Sequence, residues 1–72
     1  MIKENCMKLI INGQEKTFSD GLTLAEVLTQ LQLDGKVMAA AVNMEIVKQE
    51  NWKTYQPKDG DKLELLDFVG GG

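Results

Sequence analysis

A single stretch of this chain repeats its apolar residues with a helical period. Leu24, Val27, Leu28 and Leu31 fall at i, i+3, i+4 and i+7, while Glu26, Thr29, Gln30 and Gln32 take the other side; this is one apolar stripe on an otherwise polar helix. Thr23-Leu24-Ala25-Glu26 has the T-x-x-E form in which a hydroxyl and a carboxylate satisfy free N–H groups reciprocally, so the helix should begin at about Thr23. Asp34-Gly35 should end the helical region, at a turn that needs positive φ. One helix cannot bury its own stripe. The remainder of the chain must offer it a flat apolar face.

That remainder reads as strands. Met7 to Asn12 is a β-rich run, Asn12-Gly13 is a two-residue hairpin signal, and Gln14 to Phe18 supplies the return strand. After the helix, Val37 to Asn43 reads as a central strand whose small alanines let the helix pack close above it. A tight turn at Asn43-Met44 leads to the short strand Glu45-Ile46-Val47. Lys48 to Pro57 is a loop whose Trp52 and Tyr55 should cover one edge of the core. Lys58-Asp59-Gly60-Asp61 is a turn before the final strand, Lys62 to Val69. The expected fold is α+β, a β-grasp: a mixed sheet of four to five strands, one helix across one face, and the first and last strands as a parallel central pair joined by a right-handed crossover. Residues 1–6 are expected to form a flexible extension, 7–69 the domain and 70–72 a flexible glycine tail.

Size and composition narrow the function. A domain of 72 residues buries only about 60% of its unfolded surface, which leaves little room for an internal catalytic or cofactor cavity. There is no histidine and one cysteine, Cys6, in a polar N-terminal stretch, so neither a nucleophile–base pair nor a zinc site can be assembled. The expectation is that the chain is not itself an enzyme and binds no cofactor or metal. Eleven acidic and eight scattered basic residues give a net charge of −3, which disfavours nucleic acid as a partner. No apolar run reaches the length of a membrane span, and the first residues lack a signal peptide's apolar core. A lone cysteine fits a reducing compartment, so the chain is expected in the cytoplasm, with Cys6 an incidental exposed thiol.

The tail gives the functional pointer. Val69-Gly70-Gly71-Gly72 ends in a carboxylate on three glycines, a segment without Cβ atoms that can thread a slot too narrow for other residues. Extended, those glycines reach roughly 10 Å, enough to enter another protein's cleft while the globular body stays outside. The competing reading, a frayed or scar-like terminus, has to be weighed against the rest of the chain.

The residues that do so are Ile11-Asn12-Gly13, Thr23-Leu24-Ala25-Glu26-Val27-Leu28, Val42-Asn43 with Glu45-Ile46-Val47, Trp52, and Asp59-Gly60-Asp61 leading to Phe68-Val69-Gly70-Gly71-Gly72. Each is weak singly, but as an ordered set from Met7 to Gly72 they resemble the ThiS family, the small ubiquitin-like sulfur carriers of thiamin biosynthesis. Met38 and Met44 depart from it, standing where smaller residues are usual, and the Gln49-Glu50-Asn51 loop lacks an arginine often found nearby. The resemblance implies that a ThiF-type enzyme uses ATP to adenylate the Gly72 carboxylate, that a persulfide donor system converts it to a thiocarboxylate, and that a ThiG-type thiazole synthase accepts the sulfur. Gly70 and Gly71 would thread both active sites, with Phe68 and Val69 near the entrances. The alternatives are the MoaD-like small subunit of molybdopterin synthase, a non-covalent β-grasp interaction module, and a covalent protein modifier.

Period two in the final strand puts Leu63 and Leu65 toward the helix and Glu64 and Leu66 on the opposite face, which Phe68 continues. Leu66 and Phe68, with Glu64 at the rim, are therefore expected to form a docking patch for the activating enzyme and the synthase. The alternative is that the loop bearing Trp52 and Tyr55 covers them.

Overall fold

The computed structural model describes residues 5–67. Strand β1 (Cys6–Ile11) pairs antiparallel with β2 (Gln14–Ser19), in register from Cys6↔Ser19 to Ile11↔Gln14. Asn12 and Gly13 join them with φ of 50° and 87°, the positive pair that a two-residue hairpin needs to match the strand twist. After α1 (Leu24–Gln30) come β3 (Val37–Val42), the two-residue β4 (Glu45–Ile46), one 3-10 turn (Gln49–Asn51) and β5 (Lys62–Asp67). The sheet order is β2-β1-β5-β3-β4, with β5 parallel to β1 and antiparallel to β3. First and last strands thus lie side by side at the centre, as the sequence leads one to expect, in a ubiquitin-like β-grasp.

The start of α1 is fully satisfied. Thr23 Oγ1 accepts from Glu26 N–H at 3.2 Å and Glu26 Oε1 accepts from Thr23 N–H at 2.8 Å, which is the capping box. The N–H groups of Leu24 and Ala25 donate to the carbonyls of Tyr55 and Trp52 at 2.7 and 2.9 Å. The loop after β4 therefore supplies acceptors that the first helical turn cannot find within the helix.

The helix stops sooner than Asp34-Gly35. Leu31 is its cap, Gln32 takes φ of 62°, and the N–H groups of Gln32 and Leu33 return to the carbonyls of Thr29 and Leu28. This is a Schellman ending with glutamine where glycine is customary. It turns Leu33 back to pack beside Leu31 against the core, which offsets the backbone cost at Gln32.

Leu9, Leu24, Val27 and Leu63 are fully or almost fully buried between sheet and helix, and Trp52 joins them. Truncating one of these leucines to alanine should cost about 2–5 kcal/mol. In β3 the inward residues are Val37, Ala40 and Val42, whereas Met38 is exposed. Strict alternation would bury Met38 with Ala40. A bulge resolves this: Val37 pairs with Asp67 but Ala39 pairs with Leu66, so Met38 is the extra residue and parity shifts by one across it. Consequently only Ala40 of the three alanines is buried toward the helix, while Ala39 and Ala41 belong to the other face, a refinement of the close-packing role expected for all three.

The turn before β5 is fastened to β1. Lys8 N–H donates to Asp59 Oδ1 and Gly60 N–H donates to the Lys8 carbonyl, both at 2.7 Å. Asp61 Oδ2 accepts from Lys58 N–H at 2.8 Å, closing the turn, in which Gly60 supplies φ of 90°. Ile10 N–H then donates to the Asp61 carbonyl, so β5 enters the sheet already aligned beside β1.

Candidate functional site

The outer face of β5 is the side that the helix leaves open. Leu63 is buried and Leu65 packs partly against the core, while Glu64 and Leu66 alternate away from it, with Leu66 54% exposed. Those two orientations agree with the period-two expectation. The loop carrying Trp52 and Tyr55 does not cover Leu66. Its backbone bonds to α1 on the opposite side of the sheet, and Trp52 belongs to the core.

Register explains why Leu66 stands clear. Its neighbour on β3 is Ala39, Glu64 lies beside Ala41, and Ala41 in turn lies beside Ile46 of β4. Two methyl groups thus separate larger flanking side chains, and a groove of about 260 Å³ runs between Ile46 and Leu66, with Glu64 and Asn12 also lining it. Ile46 is 72% exposed, and Met38 and Met44 are exposed as well. Of these exposed apolar residues, Ile46 and Leu66 share the groove, and exposed apolar patches on small domains are a general feature of interaction surfaces. Ile46, Ala39 and Ala41 were not singled out by the sequence, whose only available signal was the two-residue spacing of the alanines.

Phe68, Val69, Gly70, Gly71 and Gly72, the remaining residues expected at the site, lie outside the described residues. They follow β5 directly in the sequence.

Elsewhere the chemistry is sparse. An open cleft of about 580 Å³ lies between β4 and the following loop, lined by Glu45, Lys48, Glu50 and Tyr55 among others. The Tyr55 phenol is pushed above its ordinary range by burial, and the carboxylates of Asp61 and Glu45 add to this. It therefore stays neutral at physiological pH and offers no phenolate. Among the described residues no group of three or more His, Cys, Asp or Glu side chains could hold a metal ion. None of the described helices is long and apolar enough to cross a membrane. Cys6 is exposed, at the first position of β1 opposite Ser19.

Comparison with known proteins agrees with this layout. The chain is 33% identical over 66 residues to the sulfur carrier protein ThiS of Escherichia coli, covering 92% of this chain and all of that one. It is 42% identical over 66 residues to a thiazole synthase of Paramagnetospirillum magneticum, where it spans only 20% of the relative's length. The crystal structure of the thiamine biosynthesis protein ThiS from Geobacter metallireducens superposes with a TM-score of 0.71 at 34% identity, over 92% of this chain and all of that chain. The model of the ThiS family matches residues 9–72. A β-grasp sheet with its last strand at the centre, full-length similarity to a ThiS protein of known structure, and a family match reaching the final glycine together make this chain a member of the ThiS family.

Proposed function

We propose that this protein is a sulfur carrier of thiamin biosynthesis, a protein co-substrate rather than an enzyme, working in the cytoplasm. The observation that carries the reading is the family match through residue 72, because it includes the glycine tail on which the chemistry depends. A carboxylate resists nucleophiles until its oxygen is turned into a leaving group. A ThiF-type adenylyltransferase would let the Gly72 carboxylate attack the α-phosphorus of ATP, releasing pyrophosphate and leaving an acyl-adenylate. The outer sulfur of a partner's cysteine persulfide then attacks the acyl carbon and expels AMP. A second partner thiol cleaves the resulting S–S bond, becoming oxidised to a disulfide, and Gly72 is left as a thiocarboxylate. Its anionic sulfur is the nucleophile delivered to a ThiG-type thiazole synthase. The similarity to a thiazole synthase favours the thiazole acceptor over a molybdopterin one.

In this scheme Gly70 and Gly71 thread the partners' active sites, Phe68 and Val69 sit at the entrances, and Leu66 with Glu64 docks the body. Three glycines and a docking ridge on one strand suit that division of labour, since only the tail has to enter a cleft. The test is intact-mass spectrometry after incubation with a ThiF-type enzyme, ATP and a persulfide donor. Exchange of one C-terminal oxygen for sulfur is expected. An unchanged mass, with the partners active on another carrier, would overturn the proposal, and isopeptide conjugates on lysines would point to a protein modifier instead.

A further inference from the structure

Asn12 opens the β1–β2 turn with φ of 50°, and asparagine tolerates that backbone better than most residues. The turn accounts for the residue type but gives its amide nothing to do. The amide nevertheless bonds at both ends to a strand 53 positions away: Oδ1 accepts from Leu65 N–H at 2.9 Å and Nδ2 donates to the Leu65 carbonyl at 3.3 Å. The ladder between β1 and β5 covers only Ile10↔Lys62 and Ile11↔Leu63, because the chain turns away at Asn12, whose own N–H still reaches the Leu63 carbonyl at 2.9 Å. The side chain therefore builds one more rung where β1 has run out. Among the described residues, Leu65 is the last of β5 to receive a partner from that side.

Asn43 opens the β3–β4 turn in the same manner, with φ of 52°. Its N–H donates to the Lys62 carbonyl at 2.7 Å, and its Oδ1 accepts from Lys62 N–H at 3.0 Å. Two hairpin turns thus grip the last strand with matching asparagines, Asn43 at its first residue and Asn12 at its fourth.

We infer that Asn12 is a positioning residue for the C-terminal glycines: by holding Leu65 on its open side, it keeps the docking ridge at Leu66 and the end of β5 in one rigid piece. The inference rests on the sulfur-carrier reading. If the body docks through Leu66 while the carboxylate must meet an α-phosphorus in line, slack at Leu65 separates a bound body from a correctly aimed terminus. Such misplacement of reacting groups costs rate rather than affinity. Asn43 grips the strand at its start, upstream of Leu66, and has no such part.

The experiment compares Asn12→Gly and Asn43→Gly with the wild type in ATP–pyrophosphate exchange by a ThiF-type enzyme, well below the melting temperature of all three. Glycine keeps each turn viable and removes only the amide. Asn12→Gly should lower kcat by roughly tenfold or more with KM changed by less than about threefold, and the Leu65 amide should exchange hydrogen faster. Asn43→Gly should keep kcat within about twofold of wild type. Wild-type kcat in Asn12→Gly, an equal fall in Asn43→Gly, or a loss confined to KM would each overturn the inference while leaving the sulfur-carrier reading standing. A wild-type protein that supports no exchange would overturn both.

Discussion

Trp52 donates its indole N–H to the carbonyl of Val47 at 2.8 Å, so the buried aromatic of the long loop is tied to the chain just leaving β4. The same loop feeds acceptors to the first turn of α1 through Trp52 and Tyr55. Trp52 therefore ties together three parts of the fold, reaching the end of β4 with its indole N–H and the helix start with its backbone carbonyl. Trp52→Phe keeps most of the apolar volume but deprives the Val47 carbonyl of its donor, and should cost about 1–3 kcal/mol. Urea denaturation measures this. An unchanged midpoint would mean that the bond contributes nothing.

Met44 is 91% exposed and carries φ of 72°. A left-handed backbone costs a non-glycine residue about 1–2 kcal/mol, against about 0.5–1 kcal/mol for the extra unfolded-state entropy of glycine. Strain is the larger of the two. Met44→Gly should stabilise the protein by up to about 1 kcal/mol, seen as a rise in Tm of about 5 °C. A lower Tm would show that the exposed thioether packs in solution.

Leu66 is a surface residue whose neighbour on β3 is alanine. Leu66→Asp should shift Tm little while weakening association with a ThiF-type enzyme by about 1–2 kcal/mol, as for a contact at an interface centre. Titration calorimetry and a thermal melt separate the two effects. Normal affinity in a folded variant would remove the docking role.

Deleting Gly71 and Gly72 removes no side chain beyond hydrogen, so the melt should be unchanged while ATP–pyrophosphate exchange disappears. Appending one residue after Gly72 should be as damaging, because the reacting carboxylate then lies beyond its proper place. Full exchange by the truncated form would exclude terminal activation.

Cys6 begins β1, at the opposite end of the sequence from the tail. Cys6→Ser should leave thiocarboxylate formation unaltered, since the proposed chemistry draws its thiols from the partners. Loss of sulfur loading in a variant with a normal circular dichroism spectrum would make this thiol part of the mechanism.

Local signals were the legible ones. Asn12-Gly13 announced its hairpin and Thr23 with Glu26 its helix, because both are settled within four residues. Period two was enough to turn Leu66 outward. The end of α1 was misjudged because the left-handed position falls on Gln32, and nothing in a glutamine advertises that. The parity of β3 was hidden for another reason: the bulge at Met38 exists only relative to β5, so no property of 37–42 alone reveals it. Ile46 escaped notice because β4 is two residues long, too short for alternation to be read. The Asn12 amide was invisible for want of any local sign of a partner 53 residues on.

The central seat of β5 also decides how the fold bears load. The ladders to β1 and β3 lie across the direction of a pull applied along β5. The rungs on both flanks, together with the grips of Asn12 and Asn43, must then slide as a set, since none can be peeled away singly from an edge. In the proposed scheme, a partner that drew on the tail would work against these rungs in shear, the direction in which a sheet yields least.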